Sequence, residues 1–257
     1  MKIFKNLFVK KKNIKIKNFK NKNYIIFGGT TGYGFEIAKN IYDNNGNIIL
    51  ISKNKNKLNE AKNKIIKKSN GNKFIIKQLD VKNCKNIKKI YQEIKINFEK
   101  IDAIIQCIAI PEKIKNFPII NSKEKYIFDM LSINFYVNIF IFKYFLNVWN
   151  SNNKTKLIFF TSKAAWSNTL NFGLYNISKA ALNSFVFSAS NEIKKFKNFD
   201  KIEIICLEPG EAKTEMNKNS EHHPSIILNV INKILFSNEN LNGIFLNRFF
   251  QKQKFLK

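Results

Sequence analysis

From residue 24 onward, short unbroken apolar runs alternate with longer stretches in which apolar residues recur every three or four positions. Residues 24–27, 47–52, 73–79, 101–108, 156–160, 201–207 and 243–250 have the length and continuity of strands buried on both faces. Between them, Phe35, Ile37, Ala38 and Ile41 repeat at helical spacing, as do Leu58, Ala61, Ile65 and Ile66, and then Ile87, Ile90, Tyr91, Ile94 and Phe98. Longer helices are predicted over 124–149 and 175–193, and a last one through Ile226, Ile227, Val230, Ile231, Ile234 and Leu235. This order predicts an α/β fold: a single doubly wound domain with a seven-stranded parallel sheet and helices on both faces. Ligands then belong at the carboxyl ends of the strands. The most apolar stretch, 133–149, contains Asn134, Asn138 and Lys143, which suits a buried helix better than a membrane span.

Charge changes the picture at the two ends. Residues 1–22 hold nine lysines and no acid, and form a basic arm in which Ile3, Phe4, Leu7 and Phe8 share one face of an amphipathic pattern. An organelle transit peptide is similarly acid-poor, although it usually carries Arg and Ser; a solvated tail is the alternative. The compartment is therefore cytoplasm or an organellar matrix, mitochondrial or plastid. Residues 23–250 form the folded domain and 251–257 a basic C-terminal tail. Lys and Arg number 45 against 18 Asp and Glu, a formal charge of +27, yet Arg248 is the sole arginine. Lys, Asn, Ile and Phe share AT-rich codons, so biased base composition accounts for much of this charge. The scarcity of arginine, the residue suited to bidentate phosphate and base contacts, disfavours nucleic acid as a partner. Cys84, Cys107 and Cys206 are far apart, as free thiols would be, and His222-His223 falls in a polar stretch, so no metal site is expected.

Candidate chemistry gathers at strand ends. Gly28, Gly32 and Gly34, with Thr30, Thr31 and Tyr33 among them, link the first strand to a helix, where backbone N–H groups and the helix dipole favour a pyrophosphate. Tyr175 and Lys179 lie one helical turn apart on one face, so a lysine ammonium should favour the phenolate and lower the tyrosine's pKa toward the working range. Ser162 closes the fifth strand thirteen residues earlier, and Asn134 is a polar group in a very apolar helix.

These elements, in this order, resemble the short-chain dehydrogenase/reductase family over about residues 23–250, including the 3-oxoacyl carrier-protein reductases and generic carbonyl reductases. The resemblance implies a Rossmann-like domain and an NADP(H)-dependent oxidoreductase that transfers hydride between nicotinamide and a carbonyl or alcohol. It casts Tyr175 as the proton donor, Lys179 as its partner, Ser162 as the group positioning the substrate oxygen, and Asn134 as the residue holding a water that leads from the lysine to solvent. Asp80 and Val81 correspond to the family's adenine contacts. Pro209, Gly210 and Thr214, in the segment 208–216, match the P-G-x-x-x-T-x-M loop beside the nicotinamide. The second strand ends in Ser52 with Lys53 next to it, where an acid would select NAD, so NADP(H) is favoured over NAD(H).

Two positions depart from the family pattern. Phe27 stands where Thr is usual, and Gln106-Cys107-Ile108-Ala109 replaces N-N-A-G, which puts cofactor affinity at Ala109 in question. Expected partners are a small or acyl-carrier-bound carbonyl substrate and a second copy of the chain, as homodimer or homotetramer, through the apolar face of 124–149 that carries Phe135, Ile139, Phe142 and Phe145. The competing expectation is a non-catalytic family member serving as a structural or RNA-associated subunit.

Overall fold

The computed structural model describes residues 19–67, 71–111, 119–149, 153–168 and 170–253; the amphipathic pattern at Ile3, Phe4, Leu7 and Phe8 and the last four residues of the tail lie outside them. Seven strands, β1 (Asn23–Phe27), β2 (Asn47–Ser52), β3 (Phe74–Gln78), β4 (Ala103–Gln106), β5 (Thr155–Phe160), β6 (Ile202–Glu208) and β7 (Phe245–Asn247), form one sheet in the order β3-β2-β1-β4-β5-β6-β7. Every pairing is parallel. The apolar runs are continuous because both faces are covered. Ile25, Phe27, Ile49, Ile51, Ile104, Leu157 and Phe159 face a core completed by helices α3 (Lys85–Lys95), α5 (Val137–Val148) and α7 (Gly173–Glu192). Tyr24, Ile26, Ile48, Leu50, Ile105 and Ile158 face the other, under α1 (Gly32–Asp43), α2 (Lys55–Ile65) and α8 (Leu228–Phe236). The two sets alternate along each strand, as the period of two requires.

Phe19, in the span read as the arm, is part of this second core: it is buried and meets Tyr24 and Phe236 edge-on. The fourth strand is shorter than expected and stops at Gln106 because its next residues turn away to bond side chains. The seventh is cut to three residues because Asn247 takes over the backbone. Its side-chain oxygen accepts from the Phe249 and Gln251 N–H groups, and Phe250 adopts a positive φ of 66°. The tail then runs back antiparallel, pairing Lys252 with Leu246. Lys156 sits inside a buried strand because its ammonium is fully occupied. It donates to the Ile234 carbonyl near the end of α8 and to the Ser237 carbonyl just past it, at 2.7 and 3.1 Å, and lies 3.2 Å from the Glu203 carboxylate. Burying a charge is tolerable only with partners of this kind.

The helix expected over 124–149 spans Glu124–Val148 as α4 (Glu124–Leu131), a wider π turn over Ser132–Tyr136, and α5. Among the described segments it is the one long and apolar enough by composition to cross a membrane. In the fold, Met130, Val137, Ile141, Phe145 and Val148 are buried against the domain, so Phe145, expected on the face turned to a second copy, belongs to the core because it packs on Tyr91 and Trp149. Its outer side leaves Phe128 67% and Tyr136 46% exposed, and on α7 Ile177 and Phe187 are about half exposed.

Candidate active site

In the strand order β3-β2-β1-β4-β5-β6-β7, the chain leaves β1 toward one edge of the sheet and β4 toward the other, so a cleft opens above their carboxyl ends. The glycine turn lines it. Gly28 has φ +80°, and a Cβ there would come within 2.8 Å of Ile108; a Cβ on Gly34 would come within 2.5 Å of the Gly28 carbonyl. Neither position tolerates a side chain, and α1 begins there with no side-chain cap on its first N–H groups. The opposite wall comes from the segment after β6. The Thr214 side chain rests over Gly32, and the Tyr33 hydroxyl donates to the Gly210 carbonyl at 3.0 Å. Burial and the neighbouring carboxylates Glu208 and Glu211 hold that phenol well above its ordinary range, though Arg248 opposes them.

The cleft, about 360 Å³, takes in Gly28, Thr30, Thr31, Tyr33, Gly34, Lys53, Asp80, Val81, Ala109 and Thr214 together. Gly210 lines an adjoining cavity instead, with the buried Pro209 beside it. Cys107, Ile108 and Met216, within the two segments that the resemblance set beside the cofactor, also line the cleft, as do Ile110 and Ile133, for which the sequence carried no signal. A bare glycine turn at a helix N-terminus, with cations at the far end, fits a dinucleotide phosphate chain. At that far end Lys53 pairs with Asp80 at 2.9 Å, an arrangement that holds the carboxyl below its usual range. Lys57 reaches across to Glu215 at 2.7 Å.

Ser162, at the end of β5, and Tyr175, in the first turn of α7, line the adjoining cavity, and a hydrogen bond joins their side chains. Ser162 Oγ also accepts from the Ala164 N–H at 3.2 Å. Lys179 is buried one turn along, donates to the Phe160 carbonyl at 2.8 Å, and places its Nζ 5.7 Å from the Tyr175 ring centre.

The electrostatics correct one expectation. The lysine was expected to lower the phenol's pKa, but burial pushes the Tyr175 phenol upward and only the Ser162 hydrogen bond works against it. Burial also pulls Lys179 down to about 8. With the ammonium held at a backbone carbonyl and both groups out of water, desolvation dominates each.

Asn134 sits in the π turn and clamps the segment after β4. Its oxygen accepts from the Ile110 N–H at 2.8 Å, and its amide donates to the Ile110 carbonyl at 3.0 Å while facing Ser178 Oγ at 3.3 Å. Gln106 holds Ile108 in the same two-point way and donates to Asn138 Oδ1 at 2.8 Å; Asn138 donates in turn to the Asn134 carbonyl. A chain of three buried amides therefore does the holding where N-N-A-G was missing. Asn138, four residues after Asn134 on an apolar helix, carried a legible signal that the sequence analysis left unused.

The short chain dehydrogenase family matches residues 22–225. The chain belongs to this family. It is 25% identical over 199 residues to a benzil reductase ((S)-benzoin forming) of Saccharomyces cerevisiae, covering 76% of this chain and 73% of the relative. It is 24% identical over 177 residues to the Mus musculus 3-ketodihydrosphingosine reductase, covering 67% and 52%. Among solved structures, the fold resembles a short chain dehydrogenase from Shigella flexneri complexed with NADP (TM-score 0.80, 17% identity, 91% of this chain and 100% of that one). A short chain dehydrogenase from Escherichia coli complexed with NADPH gives TM-score 0.80 at 17% identity, covering 91% and 99%. The Rossmann-like architecture and the membership of a family of oxidoreductases thus stand together.

The Lys179 shift has a measurable consequence. With a folded value of about 8 against an ordinary 10.5, the folded chain holds fewer protons than the unfolded chain between those values. The group therefore destabilises the fold fully below pH 8, and the penalty, roughly 3 kcal/mol, disappears as pH rises through 10.5. Lys179→Met is expected to raise the melting temperature near neutral pH by on the order of 5 °C, with the gain shrinking toward pH 10. Thermal melts across that range check it, and no gain at neutral pH would contradict it.

Proposed function

We propose that this chain is an NADP(H)-dependent reductase of a carbonyl compound. The observation that carries the reading is the convergence of Tyr175 and Ser162 on one cavity, whose wall is joined through the Tyr33–Gly210 hydrogen bond to a glycine-lined cleft that fits a dinucleotide. A bound nicotinamide would supply or accept the hydride. Tyr175 Oη then gives its proton to the carbonyl oxygen, and a phenol raised by burial is in its protonated form at neutral pH for that step. Ser162, which donates its single O–H to Tyr175 in the free site, would turn that hydroxyl to the same oxygen and fix its position. Lys179, titrating near 8, changes its proton within the working range and sits beneath the tyrosine ring. Asn134 and Gln106 hold the Ile108–Ile110 backbone that forms the cleft wall. The relatives named for reducing benzil and 3-ketodihydrosphingosine support reduction of a carbonyl.

The preference for NADP(H) rests on Ser52 and Lys53. No carboxylate closes β2 to repel a ribose phosphate, and Lys53 reaches the cleft at the Asp80 end. The NADP and NADPH complexes among structures of the same fold support this choice. The altered segment after β4 does not favour the scaffold alternative, because Gln106 supplies the contacts that keep the cleft wall in place.

The exposed Phe128 and Tyr136 of the long helix, with Ile177 and Phe187 of α7, form an apolar face suited to a second copy of the chain. Light scattering at micromolar concentration is expected to give a dimer or tetramer, and a monomer would refute that part of the reading.

Tyr175→Phe keeps the ring but removes the proton; turnover of any carbonyl substrate found by NADPH oxidation is expected to fall about 10²–10⁴-fold. NADPH binding, followed by fluorescence titration, should persist, and a fully active variant would overturn the assignment. Lys53→Glu is expected to weaken NADPH at least tenfold relative to NADH, a loss of about 1.4 kcal/mol in differential binding. An unchanged ratio of the two dissociation constants would show that Lys53 does not select the cofactor.

A further inference from the structure

We infer that the substrate carries an oxyanion, a carboxylate or a phosphate, which Arg248 holds in the substrate cavity. The inference rests on the reductase reading for the place of the carbonyl, beside Ser162 and Tyr175. Arg248 lies just past β7 and lines the same cavity, about 590 Å³, as those two residues.

Its position is set on every side. The Asn247 side chain fixes the backbone of the turn, the guanidinium lies 4.9 Å from the Phe249 ring centre, and the stem packs on Gly210. A Cβ on Gly210 would come within 2.8 Å of Arg248 Cδ and 3.0 Å of Nη1, so the bare backbone there makes room for the arginine. Despite being half-buried, the guanidinium forms no ion pair among the described residues. The carboxylates that share the cavity are otherwise placed: Glu208 accepts from the Gly210 N–H at 2.8 Å, and Glu211 is exposed. Lys163 and His222 complete the ionisable lining. Cations and carboxylates are balanced in number here, so the placement of the fork, and not net charge, selects an anion.

Composition points the same way. Every other Lys-or-Arg position in this chain is lysine, so the drift that produced the +27 charge does not by itself place an arginine in this cavity. Lysine would give the same charge but only a flexible point contact. Arginine alone offers a planar pair of N–H donors matched to two oxygens of a carboxylate or phosphate, and its stem is already ordered by Phe249 and Gly210.

The experiment compares each anion with its neutral counterpart: 5-oxohexanoate against its methyl ester, and hydroxyacetone phosphate against hydroxyacetone, all with NADPH. In the wild-type chain, kcat/KM is expected to favour at least one anion over its neutral partner by tenfold or more, the pair identifying carboxylate or phosphate. In Arg248→Gln that preference should fall to near unity through KM, and Arg248→Lys should restore only part of it, with melting curves confirming that both variants fold. A wild-type preference near unity for both pairs, or one that survives in Arg248→Gln, overturns the inference. If no compound is reduced, the reductase reading is what has failed. The anchor is then judged by calorimetric titration of the two anions: binding lost in Arg248→Gln upholds it, and equal or absent binding refutes it.

Discussion

Everything functional in this molecule depends on one topological constraint, the reversal of winding between β1 and β4. Parallel strands need crossovers, and each crossover helix covers the ground above the strands it joins. Where the chain winds outward in both directions from a central pair, no crossover covers the gap, and polar backbone at the strand ends stays open to a ligand. The glycine turn after β1, the clamped segment after β4, Ser162 after β5 and the Pro209-Gly210 segment after β6 all reach the candidate site for this reason. Residues more than 180 positions apart, such as Gly28 and Thr214, meet at one cleft because their strands end at the same level.

The wall of that cleft is held by buried side-chain amides. The segment after β4 lines the cleft, and Gln106-Cys107-Ile108-Ala109 stands there in place of the N-N-A-G that the resemblance led one to expect. Gln106 reaches back to both backbone groups of Ile108, Asn134 does the same for Ile110, and Asn138 links the two amides. Each buried amide has its donors and acceptors matched, which is the condition for a polar network to be tolerated inside a core. The π turn at Ser132–Tyr136 coincides with this network, one place where the helix departs from its regular period.

The electrostatic core of the site follows a similar logic of burial against pairing. A tyrosine and a lysine one helical turn apart suggest attraction, but the lysine finds the Phe160 carbonyl and both groups lose water. Desolvation then pushes the two pKa values in opposite directions, each toward the neutral form. The price is stability, since a lysine held near 8 works against folding at neutral pH, as functional sites often do.

Period and punctuation in the sequence were enough for the seven strands, their order of appearance, the parallel doubly wound class and the stations of Gly28, Ser162, Tyr175 and Lys179. These are local properties: an apolar run long enough for a strand, a glycine turn, a helical repeat of four. The ends of β4 and β7 were misjudged because Gln106 and Asn247 divert the backbone through side-chain bonds that an apolar pattern does not encode. Phe19 was assigned to the arm because a single aromatic among lysines has no periodicity, and only Tyr24 and Phe236 make it core. Arg248 was read as an oddity of composition, and only the tertiary structure places it beside Gly210 and in one cavity with Tyr175. The sequence alone determined which elements exist and what chemistry they carry; the tertiary structure decided which side chains are desolvated, which are paired and which remain free. Those outcomes depend on contacts between distant segments, and spacing along the chain does not record them.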